Sequence, residues 1–222
     1  MSQAADDHHA KPWETVRRGL LMLVSSPAGA GKTSLSRRLV ADFAGMVLSI
    51  SATTRAPRPG EAEGREYFFK SREQFEAMIA AGELLEWAEV NHHLYGTPKA
   101  PVMAALDAGK DVMFDIDWQG AASIAAQAPQ DSVRVFILPP SWSDLSRRLH
   151  ARAQDSESVI RQRLELGRSE ITHWGAYDYV IVNKDFDRAY ADLAHIYRAE
   201  RMKPGRNPWL PPFVEGLLSE TV

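Results

Sequence analysis

The sequence has no cysteine among its 222 residues, which excludes disulfide bonds, zinc sites with thiolate ligands and catalysis by a thiol. It also lacks an apolar run of the roughly 20 residues that a transmembrane helix needs, and its N-terminus lacks the basic-then-apolar order of a signal peptide. Neither sign of charge is in large excess, since 26 basic and 29 acidic residues give a formal net charge of -3. These absences predict a cytoplasmic globular protein with no nucleic-acid partner and no membrane partner.

The clearest motif is a short apolar run followed by small residues. Leu20–Ser25 carries no charge and predicts a buried strand, and a helical pattern begins at Thr33. The segment that joins them consists of Ser26, Pro27, Ala28, Gly29, Ala30, Gly31, Lys32 and Thr33. A strand, a tight loop and a helix in this order are typical of a phosphate-binding loop (P-loop). In such a loop, backbone N–H groups and the helix N-terminus hold phosphate oxygens.

Two residues of this loop can contribute chemistry. Lys32 is expected to reach the β- and γ-phosphates of a nucleoside triphosphate, and the Thr33 hydroxyl is expected to coordinate Mg²⁺. Ser26 stands where the usual pattern has glycine, which requires that its φ be negative. The alternative is an ordinary Gly-Lys turn before a helix, and on its own the loop indicates only a nucleoside triphosphate.

Apolar segments that alternate with helical patterns predict an α/β fold, with a parallel sheet flanked by helices. The strands of this sheet are predicted at Leu20–Ser25, Val47–Ile50, Asp111–Ile116, Val133–Leu138 and Tyr179–Val182. Prolines and glycines interrupt the pattern after Ser51, and the strands predicted next, at Arg65–Lys70, Leu84–Val90 and His93–Tyr95, indicate a separate sheet-rich insertion. The predicted organisation is a flexible tail at 1–17, a core at 18–50 and 98–203 with a lid at about 141–170, the insertion at 51–97, and an irregular tail at 204–222.

Two carboxylates come at the end of one predicted core strand. Asp115 and Asp117 lie where the carboxyl ends of parallel strands bind ligands in open α/β sheets. The alternative for either residue is a solvated loop acid or the N-cap of a helix that starts at Trp118.

Arginines are concentrated in two regions. Arg55 and Arg58 lie in the proline- and glycine-rich loop, and a guanidinium group can bind phosphate through two hydrogen bonds. Arg148 and Arg152 are four residues apart on a predicted helix, so both can face one ligand, and Arg163 on the next helix could meet them. The short polar segment at 153–156 predicts the tip of a mobile lid. The alternative for each arginine is a solvated basic surface.

The segment Thr53-Thr54-Arg55-Ala56-Pro57-Arg58-Pro59-Gly60-Glu61, continued to Phe69, closely resembles the signature of the guanylate kinase family. Other landmarks match in order: the phosphate loop, Leu85-Glu86-Trp87, Tyr95-Gly96-Thr97, Asp115-Ile116-Asp117-Trp118-Gln119-Gly120, the lid arginines and Ile181-Val182-Asn183. The resemblance covers residues 19 to about 200. It implies a fold of core, GMP-binding insertion and lid, and Mg²⁺-dependent transfer of the ATP γ-phosphate to GMP, giving ADP and GDP in purine nucleotide metabolism and GMP recycling.

The resemblance also implies a role for each matching residue. It assigns catalysis to Lys32, Arg58, Arg148 and Arg163. It assigns ATP binding to Ser26 through Thr33 together with Arg152 and Asn183, and the metal to Thr33. It assigns GMP binding to Ser51, Arg55, Arg58, Tyr67, Glu86, Tyr95, Thr97 and Asp117. Chemistry supports one of these roles directly, because the Glu86 carboxylate can accept the N1–H and N2–H₂ donors of guanine, which adenine does not offer.

Two other functions stay open at this point. One is a non-catalytic guanylate-kinase-like scaffold that binds phosphoproteins at the former GMP site. Such domains have typically lost the phosphate loop, whereas Gly31-Lys32-Thr33 is retained here. The other is a kinase for a different nucleoside monophosphate. The sequence leaves open whether the chain forms a homo-oligomer.

Overall fold

The computed structural model describes residues 17–90, 92–151 and 156–220. Its strands are β1 (Leu21–Ser25), β2 (Met46–Leu48), β3 (Ala52–Thr53), β4 (Phe68–Phe69), β5 (Leu84–Val90), β6 (His93–Pro98), β7 (Asp111–Asp115), β8 (Ser132–Leu138) and β9 (Tyr179–Val182). Its helices are α1 (Lys32–Asp42), α2 (Arg72–Ala80), α3 (Lys99–Asp107), α4 (Trp118–Gln127), α5 (Trp142–Ala151), α6 (Glu157–Ile171), α7 (Phe186–Arg201) and α8 (Leu210–Ser219).

The larger sheet has the strand order β2-β7-β1-β8-β9, and every neighbouring pair is parallel. β1 lies in the middle of this sheet and all five of its residues are buried. A strand covered on both faces is apolar throughout, which is why the sequence of β1 shows no alternation. The predicted parallel sheet is therefore confirmed, and the carboxyl ends of its strands meet at one edge.

Helices cover both faces of this sheet, as predicted. Alternate residues of β1 point to opposite faces. Met22 belongs to the hydrophobic core that contains Leu35 of α1 and Leu193 of α7. Leu23 belongs to the core on the other face, which contains Leu106 of α3. The two cores hold β1 rigidly, and the loop that follows β1 starts from a fixed position.

The smaller sheet has the order β4-β3-β6-β5 and is built from residues 52–98. β5 and β6 form an antiparallel hairpin, and α2 packs against this sheet through the buried Phe75. A capping box opens α2, because Gln74 N–H donates to Ser71 Oγ at 3.2 Å and Ser71 N–H donates to Gln74 Oε1 at 2.9 Å.

A buried carboxylate anchors the opposite edge of the larger sheet, where the strands begin. Asp111 is 0% exposed and accepts hydrogen bonds from Leu20 N–H at 2.9 Å, from the Tyr197 hydroxyl at 2.5 Å and from the Arg17 guanidinium. Arg17 was predicted to belong to the N-terminal tail, but this ion pair ties it to the core. The remainder of that predicted tail lies outside the described residues.

Two local predictions need correction. The predicted tail at 204–222 is not irregular where the structure describes it, because Pro204–Arg206 forms a 3₁₀ turn and α8 follows. Pro211 and Pro212 do not prevent α8, because the N–H groups of the first helical turn have no partner within the helix and proline can therefore stand there. The strand predicted at Arg65–Lys70 is reduced to β4, because a turn occupies residues 64–66.

In the part of the chain that the structure describes, no helix combines the length and the apolar character that crossing a membrane requires.

Candidate active site

The loop between β1 and α1 has the backbone that a phosphate cradle requires. Gly29 and Gly31 have φ values of 90° and 101°, a region that only glycine enters readily. Among the described residues outside glycine, a positive φ occurs only at His92. Ser26 therefore has the negative φ that its place in the loop requires, and the departure from the usual pattern costs the loop nothing in backbone strain.

Asn183 stabilises the conformation of this loop. Its side chain is buried, and Nδ2 donates to the Ala30 carbonyl oxygen at 2.7 Å. A Cβ atom placed on Gly31 would lie 2.3 Å from the same Nδ2. Gly31 is thus required twice, for its φ and for the close approach of Asn183. In this structure the side-chain amide of Asn183 acts on the conformation of the loop.

The loop lysine is held at the edge of the sheet. Lys32 Nζ donates to the Ile116 carbonyl oxygen at 2.8 Å and pairs with Asp115 Oδ1 at 2.9 Å. Thr33 is exposed in the first turn of α1. A cavity of about 300 Å³ is lined by Ser26, Pro27, Ala28, Gly29, Gly31, Lys32, Thr33, Asp115 and Glu170. This cavity brings a cation, a hydroxyl and backbone N–H groups to one place, which suits a chain of phosphates.

A second cavity of about 230 Å³ lies between the hairpin of the smaller sheet and the end of β7. Five of the predicted GMP-binding residues line it: Ser51, Glu86, Tyr95, Thr97 and Asp117. Asp115 lines this cavity as well as the phosphate-loop cavity. The two cavities are therefore adjacent, and one carboxylate separates them.

The central acid of this second cavity is Glu86. Thr97, which is buried, donates its hydroxyl hydrogen to Glu86 Oε1 at 2.7 Å. Burial raises the pKa of Glu86, and the negative charge of Asp117 raises it further, while the Thr97 hydrogen bond opposes the shift. The second oxygen of Glu86 remains able to accept hydrogen bonds, so this carboxylate can receive a group that offers paired donors.

Asp117 has a structural bond of its own in the same cavity. Its Oδ1 accepts the Gly120 N–H at 2.8 Å and caps α4. The alternative reading of Asp117 as an N-cap is confirmed, and its position on the cavity wall leaves the remaining oxygen for a ligand.

Arg55, Tyr67 and Tyr95 come together beside this cavity. The guanidinium carbon of Arg55 lies 5.3 Å from the centre of the Tyr67 ring, and the Tyr67 and Tyr95 ring centres are 6.0 Å apart. Arg55 Nη2 donates to both oxygens of Glu61, at 2.9 and 3.0 Å. This contact lowers the pKa of Glu61. Arg58 is exposed, and its backbone N–H donates to Glu61 at 2.7 Å.

The lid arginines are placed only in part. Arg148 of α5 lies beside the phosphate loop, since its Nη2 donates to the Asn183 carbonyl oxygen at 2.9 Å and its Nη1 lies 3.5 Å from the Ala30 carbonyl oxygen. Arg163 lies on α6 and is half-buried. Arg152, for which ATP binding was predicted, lies outside the described residues. An open cavity of about 480 Å³ on this side of the loop is lined by Gly29, Gly31, Ser34, Arg148, Ala151, Asn183, Lys184, Asp185 and Phe186.

Sequence reasoning missed several polar residues on the walls of these cavities. Ser49, Gln119 and Ser123 line the cavity that contains Glu86, and Glu170 lines the phosphate-loop cavity. Gln119 directly follows Trp118 in the matched segment, so the motif offered a signal for it. Glu170 gave none, because a single acid on a helix rich in charged residues is usually solvated.

Comparisons with known proteins agree on one family. The family model described as guanylate kinase matches residues 18–200. The guanylate kinase of Caulobacter vibrioides is 58% identical over 205 residues, which cover 92% of this chain and 96% of that protein. The guanylate kinase of Maricaulis maris is 52% identical over 217 residues, which cover 98% of this chain and all of that protein. In the crystal structure of guanylate kinase from Anaplasma phagocytophilum, the matched chain has a TM-score of 0.73 at 34% identity, with 93% of this chain and 99% of that chain covered.

Proposed function

We propose here how the site works. The chain belongs to the guanylate kinase family and is an ATP:GMP phosphotransferase, and the proposal proceeds from that. The observation that carries the assignment of the site is the adjacency of two cavities. One surrounds the phosphate loop, the other surrounds Glu86, and Asp115 lines both. A donor nucleotide bound by the loop and an acceptor bound beside Glu86 would meet at this carboxylate.

Guanine is recognised by the cavity that contains Glu86. The free oxygen of Glu86 and the oxygen that Thr97 already holds accept the N1–H and N2–H₂ hydrogens, while Ser51 and Asp117 contact the base from the cavity wall. Thr97 also contacts guanine, because its hydroxyl can rotate from Glu86 toward the base. Adenine offers no such pair of donors, and a half-buried carboxylate left without them disfavours the wrong base.

The phosphate of GMP is held by the cluster beside this cavity. Arg55 presents a guanidinium fork beside the ring of Tyr67, which in turn contacts the ring of Tyr95, and Arg58 adds a second fork from the same loop. Arg55 is held by Glu61 in this structure. Entry of the phosphate therefore replaces one charged acceptor of Arg55 by another, at little cost in electrostatic energy.

The transfer itself requires alignment and charge neutralisation. An oxygen of the GMP phosphate attacks the γ-phosphorus of ATP in line with the departing ADP oxygen, and negative charge spreads over the oxygens of the transferred group. Lys32, Arg148 and Arg163, joined by Arg152, offset this charge. A phosphate monoester is already an anionic nucleophile, so no general base is needed. Asn183 and the open cavity beside Arg148 would receive the adenine side of ATP.

The site suits Mg²⁺, which would be held by the Thr33 hydroxyl together with the phosphates of ATP. The donor set fits this ion, because Mg²⁺ prefers oxygen ligands and binds beside one or two carboxylates plus substrate phosphates. When bound, it neutralises charge on the β- and γ-phosphates. The Asp115 carboxylate lies on the wall of the same cavity. We place the reaction in the cytoplasm, where both nucleotides are available.

The test is release of ADP from ATP and Mg²⁺ in the presence of GMP, AMP or no acceptor. We expect ADP release that depends on GMP and is far slower with AMP. ADP release that does not depend on GMP would refute the proposed assignment. The scaffold alternative is not favoured, because the two loop glycines keep the φ values that a phosphate cradle needs.

A further inference from the structure

Glu170 is an acid in the phosphate site that the proposed reaction has not used. It lies in the last turn of α6 and lines the same cavity as Lys32, Thr33 and Asp115. Its neighbours in this cavity are the groups that would bind phosphates and Mg²⁺. The negative charge of a carboxylate in this cavity affects which ligands can bind there.

The packing of α6 fixes where Glu170 lies. Gly167 is buried one turn earlier on this helix, and a Cβ atom built on it would lie 3.3 Å from Cβ of Pro27 and 3.5 Å from the ring of Trp142. The helix backbone thus rests directly on the phosphate loop. Residues three apart lie on the same face of a helix, so Glu170 faces the loop as a consequence of this contact.

The charged side chains that line this cavity are unbalanced, because Arg148 lines the other cavity beside the loop. Lys32 is the cation of this cavity and pairs with Asp115 at 2.9 Å, so one ammonium group faces two carboxylates. Burial raises the pKa of Glu170, whereas the charge of Lys32 and the N–H of Ala28 lower it. The phosphates of a nucleotide bring more negative charge to the same cavity, and like charges at short distance in a half-buried site repel each other.

A cation that accompanies the nucleotide would relieve this repulsion on the side of the loop that Glu170 faces. Mg²⁺ keeps several water ligands when it binds phosphates, and these waters donate hydrogen bonds to nearby carboxylates. Within the described ranges there is no group of three His, Cys, Asp or Glu residues that could hold a metal ion by itself. The metal would therefore arrive with the nucleotide.

We propose that Glu170 is a positioning residue that makes the phosphate loop selective for the Mg²⁺ complex of the nucleotide. Its carboxylate accepts hydrogen bonds from water ligands of the metal, and it repels phosphates that carry no metal. This inference rests on the proposed function, because it requires that the loop bind a nucleotide with Mg²⁺. It adds a residue that acts from the lid helix α6.

The test is calorimetric titration of ADP into the full chain, once with Mg²⁺ and once with EDTA. Replacing Glu170 with glutamine is expected to reduce the strengthening of ADP binding by Mg²⁺ about tenfold or more, the usual effect of losing a partner of the metal's ligands. Metal-free ADP is expected to bind the variant more tightly than the wild type, since a like charge is gone. Glu165→Gln, an exposed change on the same helix, is the matched control and leaves both affinities unchanged.

Two results would overturn the inference. One is an equal effect of Mg²⁺ in the Glu170→Gln variant and in the wild type. The other is an equal loss of affinity with Mg²⁺ and with EDTA, which indicates a merely structural role. If Glu170→Gln does not fold, Glu170→Asp decides: it keeps the charge but withdraws the carboxylate, so we expect a smaller Mg²⁺ effect with unchanged metal-free binding, and a wild-type Mg²⁺ effect refutes the proposal.

The same preparations separate this inference from the proposed function. GMP-dependent ADP release by the wild type tests the reaction alone. If that release is absent, the proposed function fails whatever the titrations give. If it is present and the Mg²⁺ effect is insensitive to Glu170, only the role of Glu170 is refuted.

Discussion

Replacing Glu86 with glutamine separates recognition of the acceptor from binding of the donor. The amide has nearly the shape of the carboxylate, and Thr97 can donate to its oxygen as it donates to Glu86 Oε1 at 2.7 Å. The cavity therefore keeps its form. What changes is the charge and one acceptor, because an NH₂ group takes the place of a carboxylate oxygen and faces a donor of guanine.

The size of the effect follows from the burial of this side chain. Glu86 is half-buried in a cavity of about 230 Å³, so water replaces the lost hydrogen bond poorly. A hydrogen bond to a charged group contributes about 1.5–3 kcal/mol, and an unsatisfied buried donor costs about 1–3 kcal/mol. We expect Glu86→Gln to lose roughly 3 kcal/mol, or about 100-fold in kcat/KM for GMP.

The assay is coupled ADP release with GMP and IMP as acceptors, together with the KM for ATP. IMP lacks the 2-amino group, so the preference for GMP over IMP should shrink in the variant while the KM for ATP stays constant. Glu89→Gln, an exposed change on the same strand β5, is the control and should leave all three values unchanged. Equal losses for GMP and ATP, or an unchanged ratio of GMP to IMP, would refute the reasoning.

The raised pKa of Glu86 predicts opposite effects of pH on GMP binding and on the stability of the fold. Burial raises the pKa of Glu86. The KM for GMP should be lowest above this pKa, and it should rise as the pH falls through the pKa, because a protonated Glu86 can no longer accept both hydrogen bonds of guanine. Because the folded-state pKa lies above the unfolded value, ionised Glu86 destabilises the folded protein at neutral pH. Glu86→Gln should raise the Tm at neutral pH, and this difference should disappear in acid. Thermal unfolding across the pH range measures it, and a lower Tm of the variant at neutral pH would contradict the argument.

Other parts of the structure give further predictions. Lys32→Ala should lower kcat roughly 10³-fold in the coupled assay, since a cation beside the transferred phosphate is lost; an effect on KM alone would count against this role. Gly31→Ala should destabilise the protein by about 1–3 kcal/mol and prevent ATP binding in calorimetry, because its φ is 101° and Asn183 occupies the space of a Cβ atom. Asp111→Asn should lower stability by roughly 3 kcal/mol in denaturant unfolding, while kcat is unchanged, because this buried ion pair lies at the far edge of the sheet. We expect the insertion and the lid to close over both nucleotides and exclude water before transfer, so small-angle scattering should show compaction when both are bound; no compaction would argue against closure.

Local sequence signals gave accurate elements where backbone preferences are strong. The uncharged run before Ser26 placed β1, and the helical pattern that begins at Thr33 placed the start of α1 to within one residue. These signals act over a few residues, so they do not depend on the rest of the chain. They failed at the C-terminal segment, because prolines that break a helix interior are compatible with its first turn. The second failure was the strand predicted at Arg65–Lys70, where a turn left only Phe68 and Phe69 in the sheet.

The sequence by itself determined the phosphate loop, the α/β class and the family, because each depends on motifs whose residues lie close together in the chain or in a fixed order. Only the tertiary structure decided the partners across long separations: Lys32 with Asp115, Asn183 with Ala30, and Glu170 beside the loop. These partners are set by how strands and helices pack. Hydrophobic periodicity shows which face of a helix is buried, but it does not show which element that face meets or which charge it brings to the site.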